Sequence, residues 1–261
     1  MKSINDAIKT KQLNAMVESV VNDKNKALTL VGNITSAVLT NPTLRTCTTQ
    51  SIIGSSLIAQ SLNLSLQPQM GRCWMIPYKR TIKNRKTNEV AEITEAQFQM
   101  GYLGYVELML RTGLYSKLGV KEVYENELGD LDEFGEIIIN WQKEKKGDIV
   151  GYWAYYVMNS GMKKSIFMSK DEMERFAQKY SKSYGTGKST DCWTHMFDEM
   201  AKKTCLKRLI KKYGVINENN TIETAMKYDS GVVKENGEVE YIDNESNVET
   251  QDPLKLGADN E

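Results

Sequence analysis

The sequence predicts an α+β fold: a helical N-terminal part, central antiparallel β-hairpins or sheet, a long basic C-terminal helix and a flexible acidic tail. Three observations carry this expectation. Apolar residues recur at helical spacing towards both ends, and short β-patterned runs gather in the middle. The two kinds of element are also grouped, not alternated as βαβ units require. A chain of 261 residues provides for one large domain or two small ones, with a sizeable buried core.

In the first 40 residues, Leu13, Met16, Val17, Val20 and Val21 recur at helical spacing, and Asn41-Pro42 ends the region. Residues 1–40 are therefore expected to form an N-terminal helical segment available for oligomerisation. Residues 51–66 read as a helix. Ile52, Ile53, Leu57 and Ile58 alternate there with Gly54, Ser55, Ser56 and Ala59, and Gln67-Pro68 stops it. Its small-residue face suits close approach and is a second candidate subunit contact. Residues 72–79 and 96–102 read as two strands of a hairpin. The long basic loop between them carries Lys79, Arg80, Lys83, Arg85 and Lys86. Gly101 and Gly104 flank the start of a helix running to about Thr112.

The middle of the chain offers strands at 137–141, 149–158 and 163–168, separated by the turns Lys145-Lys146-Gly147-Asp148 and Asn159-Ser160-Gly161. Tyr152, Trp153, Tyr155 and Tyr156 fall on both faces of one strand. Ser169 with Glu172 forms a capping box and starts a helix to about Tyr180. A polar loop, 181–190, leads to a long helix over 192–213. Periodicity fades after Gly214, which places a boundary near Lys227, with a core over 41–227 and an acidic tail over 228–261.

Charge divides the same way. The chain carries 34 Lys+Arg and 34 Asp+Glu, but residues 228–261 hold 10 acidic and 2 basic side chains, a net of −8. The remainder is therefore +8, a balance suited to polyanions. No run approaches 18 apolar residues, so no membrane span is expected. The N-terminus lacks the apolar segment of a secretory signal, and the expected compartment is the cytoplasm. Cys47, Cys73, Cys192 and Cys205 form no CxxC pair and there is one histidine, His195. No zinc site, other metal or cofactor is expected, and free thiols are the default.

The run Gly185-Thr186-Gly187-Lys188-Ser189-Thr190 imitates a phosphate-binding loop. However, Lys182 stands where that motif needs its first glycine, and the segment follows a helix instead of a strand. The 192–213 helix is more informative. At about 100° per residue, Leu206, Leu209, Ile210 and Tyr213 share one arc, Lys207, Arg208 and Lys211 lie opposite, and Lys203 and Lys212 lie at the borders. A solvated helix end favoured by the dipole also explains those lysines. Together with the basic hairpin and the aromatics Trp74, Tyr78, Tyr102 and Trp193, they make up the parts of a groove for a nucleic-acid strand. Two other classes compete. One is a metal-dependent nuclease built on Glu122, Glu125, Glu127, Asp130, Asp132 and Glu133 in a turn-rich stretch. The other is a purely structural assembly protein.

Four stretches carry a resemblance. They are Asn41-Pro42 with residues 51–54 and 64–68; residues 74–79 (WMIPYK); residues 96–104 (AQFQMGYLG) with Arg111-Thr112-Gly113; and residues 193–204 (WTHMFDEMAKKT) with 206–209 (LKRL). In this order they resemble the RecT-type phage single-strand annealing proteins. The resemblance implies ATP-independent binding of single-stranded DNA and its annealing into a bound duplex intermediate, without a covalent catalytic site. It implies assembly into rings or helical filaments, work alongside a phage exonuclease and a host single-strand-binding protein, and no membrane. Within it, Lys79, Arg80, Lys83, Arg85 and Lys86 are expected to reach DNA from the hairpin. Lys202, Lys203, Lys207, Arg208 and Lys211 are expected to line the groove. Gln97, Gln99, Tyr102 and Arg111 are expected to contact sugar, phosphate or base, with Gly101 and Gly104 allowing close approach.

Overall fold

The computed structural model describes residues 17, 21, 23–83, 90–133, 136–181, 184–187, 192–214, 221–233 and 239–240. Helix α1 (Lys24–Thr40) starts at Asp23, whose carboxylate accepts from the backbone N–H groups of Asn25 and Lys26. It buries Ala27, Leu30, Ile34, Ala37 and Val38. Of the five apolar residues expected to form a helix before it, only Val17 and Val21 lie among the described residues, and both join the core. Helix α2 (Thr49–Ser61) is capped by Thr48 and ends five residues before the expected Leu66. Asn63 has a positive φ of 50° there, and the Leu64 N–H returns to the Ala59 carbonyl.

The small-residue face of α2 is used inside the chain. Ser51 Oγ accepts from the Ala96 N–H at 2.8 Å, and Ser55 Oγ donates to the Ala96 carbonyl at 3.0 Å. Two serines thus grip one residue of the neighbouring strand, a packing that larger side chains would prevent. This corrects the expectation that the face is a subunit contact.

Strands β1 (Cys73–Lys83) and β2 (Val90–Met100) pair antiparallel from Cys73↔Met100 to Lys83↔Val90. The first part of the expected long basic loop is therefore strand: residues 79–83 continue β1, and residues 84–89 lie outside the described residues. Helix α3 (Tyr102–Arg111) follows as expected. Gly101 and Gly104 serve its packing. A Cβ at either position would meet the carbonyl oxygen of Gly71 or Arg72 at 2.3 Å. Their close approach is to the turn that leads into β1, inside the chain.

The second half is built on a three-stranded antiparallel sheet of β3 (Tyr115–Tyr124), β6 (Ile149–Met158) and β7 (Lys163–Ser169), in the order β3-β6-β7. Strand β3 was not expected. It takes in Glu122, which was expected in a turn-rich stretch. Between β3 and β6 lies a small two-stranded excursion, β4 (Leu128–Leu131) and β5 (Ile137–Ile139). Helix α4 (Lys170–Tyr180) begins at the expected Ser169/Glu172 capping box. The expected 192–213 helix is broken at Met196 (φ −137°, ψ 49°), which divides it into α5 (Cys192–His195) and α6 (Phe197–Tyr213). Helix α6 covers the inner face of the sheet: Tyr152 Oη donates to Asp198 at 2.5 Å, and Tyr156 Oη donates to the Tyr213 carbonyl at 2.6 Å.

The packed chain continues past Lys227. After α7 (Thr221–Tyr228), Ser230 and Gly231 pair with Phe98 at the free edge of β2, at 2.9 and 3.1 Å. β8 (Val232–Val233) and β9 (Val239–Glu240) form a short pair beyond it. One apolar core runs through both halves of the molecule. Cys47, Cys73 and Cys205 are buried in it, and burial pushes each thiol up to about 12.

Candidate nucleic-acid interface

The cations expected to form one groove fall into three settings. The first is the hairpin. Lys79 is exposed on β1, opposite Thr94. Arg80 pairs with Ile93 and Lys83 with Val90, which places both along the distal ribbon. Arg85 and Lys86 lie outside the described residues. Nearer the base, Gln99 is partly exposed, whereas Gln97 is 1% exposed and donates to the Ser230 carbonyl.

The second setting is α6, where sequence periodicity expected an open row of charge. Lys203 is buried, and its Nζ donates to Asp229 Oδ1 at 2.8 Å. Lys207 Nζ donates to Asp229 Oδ2 at 2.7 Å. Asp229 is itself 3% exposed and accepts two further hydrogen bonds, from the Met100 N–H at 2.9 Å and Tyr105 Oη at 3.0 Å. Burial opposes the charge on this carboxylate. The attraction of Lys203 and Lys207 and their hydrogen bonds outweigh it and hold Asp229 well below the usual carboxylate range. For Lys203 burial is the largest influence and lowers its affinity for the proton, while Asp229 acts against it. Lys202 is paired as well, with Glu199 at 2.5 Å and Glu122 at 3.3 Å, and stands 5.2 Å from the centre of the partly exposed Tyr102 ring. Arg208 is partly buried and reaches Met168 Sδ at 3.6 Å, and Lys211 is exposed on the last turn.

The third setting is Arg111. Its guanidinium donates to the carbonyls of Leu62 and Asn63 at 2.9 and 2.8 Å and pairs with Glu107, which also pairs with Arg72. Arg111 thus fastens the end of α2 to α3. Among the expected aromatics, Trp74 and Tyr78 are partly exposed but Trp193 is buried. The expected carboxylate cluster is dispersed. Glu122 pairs with Lys202, the buried Glu127 accepts from the Tyr124 N–H, and Asp132 accepts from the Glu136 N–H. Among the described residues no group of three or more His, Cys, Asp or Glu is placed to hold a metal ion. No helix among them is long and apolar enough to cross a membrane.

One family match runs from the first turn of α1 to β9: the model of the RecT family covers residues 25–240. The chain belongs to the RecT family. It is 32% identical over 169 residues to the uncharacterised protein YqaK of Bacillus subtilis (strain 168), across 64% of this chain and 52% of that protein. It is 27% identical over 175 residues to Protein RecT of Escherichia coli (strain K12), across 65% of this chain and 60% of that protein. These matches thus span between half and three-fifths of the curated relatives' length.

Two features of this RecT-family chain escaped the sequence reading. Asp229 lay beyond the assumed boundary and was counted with the tail. The second is the exposed face of β6, whose tyrosines and tryptophan the sequence puts on both sides of the strand. Tyr152, Ala154 and Tyr156 face α6 and are buried, while Trp153, Tyr155 and Val157 face outward and are partly exposed. The strict two-residue alternation was the available signal.

Proposed function

We propose that this protein anneals complementary strands of single-stranded DNA without ATP, in phage homologous recombination. The observation that carries the reading is the RecT-family match across residues 25–240, from the first turn of α1 to β9. The hairpin supports it. Lys79, Arg80 and Lys83 lie on a two-stranded ribbon, where cations neutralise phosphates with little regard to sequence, and Arg85 and Lys86 are further candidate contacts from the sequence. Lys211 at the end of α6 and the partly exposed Gln99 and Tyr102 are further contacts in this reading. Lys202, Lys203, Lys207 and Arg111 act on DNA indirectly, by fixing the elements that present the others.

Annealing needs no covalent catalysis. The protein lowers the repulsion between two strands, holds them in register and leaves base edges free to pair. Ligands in this reading are single-stranded DNA and the annealed duplex. The protein assembles with itself into rings or helical filaments in the host cytoplasm, supplied with single strands by a phage exonuclease and meeting host single-strand-binding protein.

The test is a fluorescence-quench annealing assay with two complementary oligonucleotides added in sequence, without ATP, across a salt series. The expected result is faster pairing and a product complex that outlasts the complex on either single strand. Unaccelerated pairing with single-strand binding intact would reduce the protein to a strand-coating role. Mg²⁺- or Mn²⁺-dependent degradation of the oligonucleotides would replace annealing with nuclease action.

A further inference from the structure

We propose that the outward face of the β3-β6-β7 sheet is a base-stacking platform for single-stranded DNA, an inference that rests on the single-strand-binding reading above. The inner face of this sheet is filled by α6. On the outer face, the Trp153 and Tyr155 rings are stacked, with centroids 4.6 Å apart and planes 21° from parallel. Trp141, from the segment after β5, adds a third ring 5.0 Å from Trp153. All three are partly exposed. Tyr155 holds its place because β3 offers glycine beneath it: a Cβ at Gly119 would lie 3.2 Å from its hydroxyl oxygen and 3.3 Å from its ring.

Charge selects the occupant. The outward positions of the three strands are Lys117, Gly119 and Lys121 on β3, Trp153, Tyr155 and Val157 on β6, and Lys163, Ser165 and Phe167 on β7. They hold three exposed lysines and no carboxylate. Lys121 Nζ stands 4.8 Å from the centre of the Trp141 ring and 6.0 Å from that of Tyr155. A cation among flat aromatic faces fits a ligand that is at once planar, apolar and anionic, as a run of nucleotides is. Any base can stack on such faces, as a protein that pairs strands of arbitrary sequence requires. Two copies of this face brought together would oppose lysine to lysine, which disfavours a symmetric contact with a second chain.

The test uses the full chain and a labelled oligothymidylate. Stacking is worth about 1–3 kcal/mol per base, so Trp153→Leu with Tyr155→Leu should weaken binding by roughly 10- to 100-fold. Trp153→Phe with Tyr155→Phe should restore most of it, and Lys121→Ala should lower the salt slope by about one. In the wild-type protein, photocrosslinking of an oligonucleotide bearing 5-iododeoxyuridine should map to Trp141, Trp153 or Tyr155. This arm stands even if a leucine variant misfolds. Crosslinks confined to the hairpin, or a folded double-leucine variant with unchanged affinity and salt slope, would overturn the platform and leave single-strand binding intact. A double-leucine variant that changes only the size of the assembly would overturn it in favour of a chain–chain surface. Failure of the wild-type protein to bind the oligonucleotide would instead remove the functional reading itself.

Discussion

The lysines of α6 and those of the outward sheet face differ in what stands opposite them. Lys203 and Lys207 meet one buried carboxylate, and Lys202 meets the partly exposed Glu122 and the exposed Glu199. Lys121 meets aromatic rings, and Lys117 and Lys163 flank the same face. The first group is the denser in sequence and gave the stronger basic signal, yet its charge is largely spent within the fold. Local density of lysine is thus a poor guide to available charge when the counter-ion arrives from a distant segment. Asp229 lies 26 residues beyond Lys203 and 129 beyond Met100.

The largest expected effect tests the spent group. Asp229→Asn leaves two ammonium groups facing a neutral amide, one of them buried. It should destabilise the protein by about 3–5 kcal/mol, read as a lower midpoint in urea. An unchanged midpoint would mean that Asp229 is not buried with its lysines in solution. The same carboxylate fixes an acid limb. Its pKa is lower folded than unfolded, so its contribution is complete above the unfolded value of about 3.9 and is lost as pH falls through the lower folded value. Urea midpoints between about pH 5 and 2 should fall more steeply for the wild type than for Asp229→Asn.

Smaller effects separate stability from affinity. Lys203→Met removes one charged hydrogen bond but leaves Lys207 on Asp229. We expect a loss of about 1–3 kcal/mol with no change in the salt slope of oligonucleotide binding. Arg111→Ala releases two carbonyls at the end of α2 and should cost about 1–2 kcal/mol, again without a change in slope. Lys79→Ala should do the opposite, with stability held within about 0.5 kcal/mol and the salt slope lower by about one. If Lys203→Met altered the slope and Lys79→Ala did not, the contrast between the two regions would be reversed.

Where signals are local, the sequence was legible. The Ser169/Glu172 box, the alternation of β6 and the helix at Tyr102–Arg111 each need only a few neighbouring residues. Strand β3 was missed because Lys117, Gly119 and Lys121 make it look polar. Its partner β6 begins 25 residues after it ends, and only that pairing reveals the pattern. The break at Met196 was missed because a helical wheel assumes unbroken geometry across Trp193 and Phe197. In the candidate interface, the hairpin cations were found from composition. The fates of Lys203, Lys207 and Gln97 depend on residues 229–230, which composition had assigned to the tail.

The closure of β2 by Ser230 and Gly231 also sets a schedule for synthesis. Gln97 and the Ser230 carbonyl that it holds are 133 residues apart. At translation rates of about 5–20 residues per second, they leave the ribosome's catalytic centre roughly 7–27 s apart. Throughout that interval the edge of β2 at Phe98 stands open, and for about the last 1–5 s of it Lys203, 26 residues ahead of Asp229, has no counter-ion. The nascent chain thus passes through a stage with an unpaired edge and, at its end, an uncompensated cation, and an unpaired edge is prone to aggregation.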